Sequence, residues 1–193
     1  CHVSFLCPFD KTIYTMSDFS KLVKARTSIR RYRSRELPHG LIDRCIDAAR
    51  YAPTACNTQC CRFIVVEGGM KERLVRDCLG EIPVRNDWAA EAPVIVVLAV
   101  EKDLLTHRIG GKIKGLRYEL IDAGIAGQHL VLQAAELGIG TCWIGWFRKA
   151  RLRKLLGIPG SWEIVALIAM GYAAEPGEAV ERLPLERIRS YRR

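Results

Sequence analysis

Two arginines near the start of the chain, Arg26 and Arg30, flank a serine, Ser28. On a helix, residues four apart lie on one face, and in an extended segment their even spacing also places them on one side. Two guanidinium groups and a hydroxyl are therefore expected to share one space. Forked guanidinium donors match phosphate and carbonyl oxygens, so the pattern indicates a site for an anionic, planar ligand. The alternative is a solvated basic surface, which most basic runs form.

The composition is typical of one globular domain with an excess of positive charge. The chain has 193 residues, 49% hydrophobic and 26% charged, with a formal net charge of +9. No apolar run approaches the roughly 20 residues that a membrane helix needs. The basic residues concentrate at 30–35 and 187–193, which favours anionic ligands, nucleic acid among them. Neither stretch carries a zinc-finger spacing, a basic zipper or an aromatic RNA-reading motif, so a nucleic-acid-binding module is the minor hypothesis.

The first residues are expected to form an arm, non-native or disordered, outside the domain. Pro8 and Asp10 interrupt the apolar residues there, so no signal peptide is predicted in residues 1–16. Met16 precedes a helix-start pattern, and we expect it to be the natural start, with 1–15 an upstream read-through or an accessory arm. Residues 17–193 then form a single domain, and the lack of a secretion signal favours the reducing cytoplasm.

The sequence contains eight cysteines, which we expect to be free thiols in that compartment. Three of them lie in apolar patterns typical of small buried hydrophobes: Cys45, Cys78 and Cys142. Cys56, Cys60 and Cys61 form a close cluster, but a structural zinc site needs four ligands and no second pair follows. No metal site is therefore predicted.

Helices and buried strands alternate along the chain and must position these residues. Helices are predicted at 17–26, 38–52, after 68–69, 116–137 and 149–156; strands are predicted at 63–66, 93–100, within 138–146 and at 163–170. The β-branched run 93–100 is expected to be a central strand buried on both faces. Loops are predicted at 54–59 and at 101–115, the second basic and close to a site, and an extended tail from Leu183. The alternation predicts an α/β or α+β fold with a mixed sheet covered by helices.

The longest helical pattern, 116–137, is apolar almost all round in its middle. Gly124 and Gly127 each cost about 1 kcal/mol relative to alanine, so close helix packing is predicted to account for them. His129 is interpreted as a hydrogen-bonded core or interface residue, because no carboxylate or nucleophile pattern adjoins it. Glu119 and Asp122 are as compatible with a favourable interaction with the helix dipole as with chemistry.

Several common catalytic motifs are absent. The chain has no G-x-S-x-G elbow, no G-x-G-x-x-G and no phosphate loop ending in GK[ST]. What remains is the arginine pair, a small polar loop with Asn57 and Gln59, a glycine-flanked strand and a basic tail. Such a set favours an enzyme in which a bound cofactor performs the difficult step and the protein orients it.

Four segments, in order along the chain, resemble motifs of the FMN-dependent nitroreductase family. They are residues 26–32 (RTSIRRY), 48–59 (AARYAPTACNTQ), 137–145 (LGIGTCWIG) and 182–185 (RLPL). The resemblance extends over nearly all of residues 17–185. It implies an α+β fold of the αβα sandwich type with a mixed central sheet, and a homodimer with FMN at the subunit interface.

The resemblance also assigns residues to the cofactor. One group would lie at the phosphate, the ribityl chain and the pyrimidine edge: Arg26, Thr27, Ser28, Arg30 and Arg182. A second group belongs to the loop with which the partner subunit would cover the ring: Pro53, Thr54, Ala55, Asn57 and Gln59. The backbone of a third group would approach the flavin N5: Trp143, Ile144 and Gly145. No side chain is assigned as an obligatory acid or base.

Three positions depart from the family pattern. Cys60-Cys61 replace a Pro-Trp pair, which changes the packing behind the motif and could add redox-sensitive thiols, packing being the preferred interpretation. Val180 replaces a basic residue and could cost one phosphate contact. Trp146 stands where a smaller residue is common and would narrow the pocket over the flavin.

The implied reaction is hydride transfer from NADH or NADPH to FMN and then to a nitroaromatic, quinone or similar small acceptor, by a ping-pong mechanism. A specialised reaction on the same scaffold, reductive dehalogenation or flavin fragmentation, is the alternative, and the loop 101–115 would set that choice. A flavin carrier without turnover and the nucleic-acid-binding module are the remaining alternatives.

Overall fold

The computed structural model describes residues 18–80, 86–101, 117–178 and 180–193. The helices are α1 Asp18–Ala25, α2 His39–Arg50, α3 Gly68–Leu74, α4 Tyr118–Glu136, α5 Lys149–Leu156 and α6 Leu185–Ile188. The strands are β1 Cys61–Glu67, β2 Val94–Glu101, β3 Gly140–Ile144 and β4 Trp162–Gly171. The first residue of the helix predicted at 17–26, the N-terminal arm and the basic loop beyond Glu101 lie outside the described residues.

The four strands form one sheet in the order β1-β2-β4-β3, and every neighbouring pair is antiparallel. The prediction of a buried central strand is confirmed, because residues 94–100 are each at most 1% exposed. The prediction of a mixed sheet is not met, because each described strand runs antiparallel to its neighbours. Within the described part of the chain, parallel pairing is limited to a single bridge between Ser28 and Thr141, because β4 lies between β2 and β3 and runs antiparallel to both.

Helices cover both faces of the sheet, which confirms the α+β sandwich. On one face, α2 packs against α4, and their buried residues, such as Ile42 and Leu130, meet Val96 of β2. On the other face, Leu74 and Leu152 pack with residues of β2 such as Ile95. The three cysteines predicted to be buried hydrophobes are at most 3% exposed: Cys45, Cys78 and Cys142.

The two glycines of α4 have different surroundings. A Cβ at Gly127 would lie 2.2 Å from the ring of Trp143, so close packing accounts for this glycine, as predicted. A Cβ at Gly124 would meet no atom within 4 Å, and the residue is exposed. Close packing within the described subunit therefore does not account for Gly124.

The C-terminal tail contains one helical turn where the sequence predicted an extended segment. The backbone N–H of Arg187 donates to the carbonyl of Pro184 at 2.9 Å, and the N–H of Arg189 donates to that of Leu185 at 3.0 Å. Pro184 precedes this turn. Proline is favoured where a helix begins, because its fixed φ suits the helix start and its missing N–H is not needed there. Within the described ranges, no helix combines the length and apolar character required to cross a bilayer.

Candidate functional site

The segment that follows α1, residues 26–33, is held on both sides by main-chain hydrogen bonds. The N–H of Ile29 donates to the carbonyl of Thr141 in β3 at 2.9 Å. The N–H of Arg33 donates to the carbonyl of Tyr172, just after β4, at 2.8 Å. We call residues 26–33 the arginine segment, and its backbone is fixed by the sheet.

Side-chain packing fixes the arginine segment further. The buried hydroxyl of Tyr32 donates to the carbonyl of Ile29 at 2.6 Å, and burial raises the pKa of this phenol. A Cβ at Gly140 would lie 2.8 Å from Cγ1 of Ile29, and a Cβ at Gly177 would lie 2.2 Å from Oγ1 of Thr27. Glycine is therefore required where β3 and the chain after β4 approach the segment.

The serine of the motif lies beside β3, where Ser28 forms a parallel bridge with Thr141, and both arginines act electrostatically on the neighbouring Cys142. Burial raises the pKa of the Cys142 thiol, while the charge of Arg30, a hydrogen bond with Ser28 and the charge of Arg26 act in the opposite direction. All three groups therefore act on one buried atom. The guanidinium carbon of Arg30 also lies 5.9 Å from the ring centroid of Trp88, a cation–π distance. That Arg26, Ser28 and Arg30 form one anion site stays a prediction.

The loop between α2 and β1, residues 53–60, has an unusual backbone, and we call it the polar loop. Cys56, Asn57 and Gln59 have φ values of 51°, 53° and 48°. In this left-handed region a residue with a Cβ costs about 1–2 kcal/mol, and such strain is concentrated at functional sites. A 3₁₀ turn occupies Ala55–Asn57, and the side chains of Asn57 and Gln59 are exposed.

The polar loop is attached to α4 by a buried carboxylate. Asp122 is only 4% exposed, and its two oxygens accept the N–H of Ala55 at 3.1 and 3.2 Å. The Sγ of Cys60 lies 3.9 Å from Oδ2 of Asp122. Sequence reasoning considered Asp122 only with Glu119 and the helix dipole, and missed this contact. Glu119 differs, since it pairs with Arg117 at 3.0 Å.

The third predicted group is at the end of β3. The ring of Trp143 is half-buried and packs against Gly127 of α4, while the side chain of Ile144 is buried. Gly145 is exposed, and a Cβ there would meet no atom within 4 Å. The backbone of Gly145 is thus open to close approach by a flat ligand.

Trp146 and Asn86 extend this end of the site. Trp146 is 57% exposed, and its carbonyl accepts a hydrogen bond from Nδ2 of Asn86 at 3.1 Å. Asn86 is 7% exposed and is a residue that sequence reasoning missed. Asparagine before a buried strand carries no distinctive signal, so this contact could only be found in the fold.

At the end of the polar loop, Cys60 is buried and Cys61 is half-buried. Burial raises the pKa of Cys60, and it raises the pKa of Cys61 to about 12. Cys60 packs with Leu98 and Val100 of β2, which supports the packing interpretation of the Cys60-Cys61 pair. Among the described residues, no group of three or more histidine, cysteine or acidic side chains is arranged to hold a metal ion.

The structure thus brings part of the predicted site together and holds another part on a different element. The arginine segment is attached to the sheet, whereas the polar loop is attached to α4. Arg182 is exposed, five residues beyond Gly177, which contacts the arginine segment. His129 is half-buried and its Nδ1 lies 2.9 Å from the carbonyl of Ile125, in line with its interpretation as a hydrogen-bonded residue.

Comparison with known proteins identifies the class to which this fold and site belong. The model of the nitroreductase family matches residues 23–90 and 80–172. An NADH dehydrogenase of Thermus thermophilus is 34% identical over 190 residues, covering 84% of this chain and 90% of its own length. An FMN reductase [NAD(P)H] of Bacillus subtilis is 25% identical, covering 90% of this chain and 73% of its own.

A solved structure has the same fold. The crystal structure of a nitroreductase family protein from Clostridium difficile 630 superimposes with a TM-score of 0.74 at 26% identity, covering 89% of this chain and 96% of that one. The chain belongs to the nitroreductase family.

Proposed function

We propose that this chain is an FMN-dependent oxidoreductase that takes hydride from NADH or NADPH and reduces a small acceptor such as a nitroaromatic or a quinone. The observation that carries the proposal is the attachment of the segment with Arg26, Ser28 and Arg30 to the edge of β3, through the Ser28–Thr141 bridge and the hydrogen bond from Ile29 to Thr141, next to the open backbone of Gly145. Guanidinium and hydroxyl donors match the phosphate and ring oxygens of FMN. The relatives named NADH dehydrogenase and FMN reductase [NAD(P)H] support the flavin and the nicotinamide donor.

The residues present fit FMN in shape as well as in charge. The open backbone of Gly145 leaves room for a flat ring beside β3. The rigid arginine segment presents its cations from the edge of the same strand. A site with fixed donors on one side and an accessible backbone on the other suits a phosphorylated planar cofactor.

Each group of residues has a distinct task in this proposal. When bound, FMN supplies the hydride acceptor and donor. Arg26 and Arg182 would hold its phosphate, and Thr27 and Ser28 would hydrogen-bond its ribityl chain. Arg30 would place a fixed positive charge at the pyrimidine edge, where it stabilises developing negative charge. The chain's residues orient the cofactor, and none is assigned as an obligatory acid or base.

The decisive experiment is an absorbance spectrum of the purified protein with FMN, before and after anaerobic NADPH or NADH. We expect a bound flavin band that bleaches with the nicotinamide donor and returns when a nitroaromatic or quinone is added. A protein that binds no FMN contradicts the proposal. A band that stays unbleached would identify a flavin carrier without turnover. For the ping-pong scheme, initial rates against both substrates should give parallel lines.

The proposal includes a homodimer, with the second copy on the outer face of α4. A groove of about 590 Å³ lies open between α1, α2 and α4 and is lined largely by apolar side chains. In it, Phe19 is 61% exposed and Ile121 is 48% exposed. Gly124 also lines it and has no close neighbour in the subunit, so a partner helix at this face would account for the glycine.

A homodimer is also consistent with the attachment of the arginine segment to the sheet and of the polar loop to α4. The polar loop belongs to the α4 side, and the resemblance implies that it covers a flavin bound by the partner. Ile121→Asp is expected to yield monomers by light scattering and to weaken FMN binding. Met70→Asp, at an exposed apolar residue of α3, is the matched control and should stay dimeric. A wild-type monomer that binds FMN would contradict the dimer while leaving the activity in place.

The proposal places this enzyme in the cytoplasm. The six cysteines of the described residues are free, in keeping with a reducing compartment.

A further inference from the structure

Asp122 is a charged group in a place that is costly for charge. It is 4% exposed, in a helix whose neighbouring residues Ala123 and Ala126 are at most 2% exposed. A buried carboxylate is tolerated only where hydrogen bonds compensate for its lost hydration. The compensation here comes from the polar loop, through the N–H of Ala55 and the thiol of Cys60.

The geometry at Ala55 is specific. Its N–H lies within 3.1 and 3.2 Å of both carboxylate oxygens, and it belongs to the first residue of the 3₁₀ turn Ala55–Asn57. An N–H at the start of a helical turn has no partner within the turn, and an acceptor with a negative charge satisfies it best. The carboxylate therefore holds the turn from its first residue.

The loop that Asp122 holds has a strained backbone, although the N–H groups of Asn57 and Thr58 donate to the carbonyls of Thr54 and Ala55 within it. Three of its residues have left-handed φ values although none is glycine: Cys56, Asn57 and Gln59. Inside the loop, the N–H of Gln59 donates to Oγ1 of Thr54 at 3.1 Å, and its Nε2 donates to Oδ1 of Asn57 at 3.3 Å. Both of these side-chain hydrogen bonds involve exposed groups, and exposed hydrogen bonds add too little stability to offset the backbone strain.

We propose that Asp122 is a positioning residue for FMN: its carboxylate holds the strained polar loop in the shape that covers the flavin. The inference rests on the proposed function, and it assigns a task to a side chain that contacts no cofactor itself. Asp122 acts through Ala55 and Cys60, one on each side of the residues that present Asn57 to the ligand. The same contact also explains why this acidic residue of the second turn of α4 is buried, which an interaction with the helix dipole does not require.

The test compares three variants of the full chain as FMN-binding dimers. Asp122→Asn keeps the shape and one oxygen acceptor but removes the charge; Asp122→Ala removes both. Glu119→Gln is the matched control, because Glu119 is on the same helix and pairs with Arg117 rather than with the loop. Apoprotein is titrated with FMN by fluorescence quenching, and hydrogen exchange is measured at the amide of Ala55.

We expect the dissociation constant of FMN to rise about tenfold in Asp122→Asn, equivalent to about 1.4 kcal/mol, and further in Asp122→Ala. Glu119→Gln should stay within twofold of the wild type. The amide of Ala55 should lose protection in both Asp122 variants before FMN is added. At saturating FMN, the visible circular dichroism of the flavin and the KM of the acceptor should also change.

A residue needed only for folding would give another result. Lower thermal stability with unchanged FMN affinity, unchanged flavin dichroism and unchanged Ala55 exchange would overturn the inference. If Asp122→Ala does not fold, Asp122→Asn decides by the same measurements. A wild-type protein that binds no FMN would overturn the proposed function and with it the inference. A wild-type protein that binds FMN while both Asp122 variants match it would overturn the inference alone.

Discussion

The arginine segment and the polar loop are held by different sets of contacts. The arginine segment is fixed through its backbone, by hydrogen bonds to Thr141 and Tyr172. The polar loop is joined to α4 by the carboxylate of Asp122, and to β2 by the N–H of Glu101, which donates to the carbonyl of Cys60 at 2.9 Å; it keeps three residues in left-handed conformations. Main-chain pairing does not depend on side-chain identity, so changes at the arginines of this segment should act through the lost side chain alone. Changes in the polar loop should act through its shape.

The attachments of the arginine segment and the polar loop suit different tasks in ligand binding. A preorganised backbone can present charged groups to an anion without paying to order them when the ligand binds. A loop with a strained backbone and a buried side-chain contact can be displaced more easily, which would suit a cover that admits two substrates in turn, as the proposed ping-pong scheme requires. We infer that the arginine segment provides affinity and the polar loop provides access.

The largest expected effect is a loss of affinity for FMN when an arginine of the arginine segment is replaced. Arg26→Ala should raise the dissociation constant of FMN about 100-fold, because charged hydrogen bonds are worth about 1.5–3 kcal/mol each and guanidinium can make two to a phosphate. The fold should be retained, since the backbone of the segment is held by β3. Fluorescence titration with FMN and far-ultraviolet circular dichroism measure the two quantities.

The matched control for this prediction is Arg31→Ala. Arg31 lies in the same segment, is exposed, and pairs with Glu91 at 3.2 Å. Its loss changes the net charge equally, but FMN affinity should fall less than about threefold. Equal losses in the two variants would mean that overall positive charge, rather than the position of Arg26, governs binding.

A smaller effect is expected from relieving strain in the polar loop. In Cys56→Gly, removal of the Cβ relieves about 1–2 kcal/mol of left-handed strain, while the flexibility of glycine costs about 0.5–1 kcal/mol. The free energy of unfolding should therefore rise by about 0.5 kcal/mol, and FMN affinity should fall about threefold as the cover loosens. Urea unfolding and FMN titration report the two changes.

Ala150→Gly, at an exposed residue of α5, is the control for Cys56→Gly. It should lower the free energy of unfolding by about 0.5–1 kcal/mol and leave FMN binding unchanged. Loss of stability in Cys56→Gly would show that the left-handed backbone is not strained, and the contrast between the two regions would then be weaker.

The same division explains what the sequence could predict. The helix α2 was predicted between Pro38 and Pro53, and it runs from His39 to Arg50, because prolines act on their own neighbours in the chain. Strand β2 was predicted from its unbroken β-branched run. The arginine pair was predicted to share one space because its spacing alone imposes this.

The contacts of the polar loop could not be predicted in this way. Asp122 and Ala55 are 67 positions apart, and their contact exists only once α4 has packed beside the loop. The left-handed φ values of this loop could not be predicted either. Asparagine tolerates the left-handed region, but cysteine and glutamine rarely adopt it. The one signal available was an acidic residue within an apolar helical stretch, which indicates a buried partner without naming it.

The smallest expected effect concerns the element that joins the two regions. His39 begins α2, and its Nε2 lies 2.9 Å from the carboxylate of Glu67 at the end of β1. The hydrogen bond and charge of Glu67 raise the pKa of His39 above 6.5. The contribution of this pair to stability is therefore complete below the unfolded pKa of about 6.5 and is lost as the pH rises through the folded pKa.

Nuclear magnetic resonance titration of His39 should give a pKa above its ordinary value of about 6.5 in the wild type and a lower one in Glu67→Gln, with Glu72→Gln as the control on α3. Because α2 connects two regions held by other contacts, FMN affinity should follow the same pH dependence in all three proteins. If Glu67→Gln alone changed that dependence, the orientation of α2 would control the cover over the flavin. The arginine segment and the polar loop would then be coupled through the helix rather than held separately.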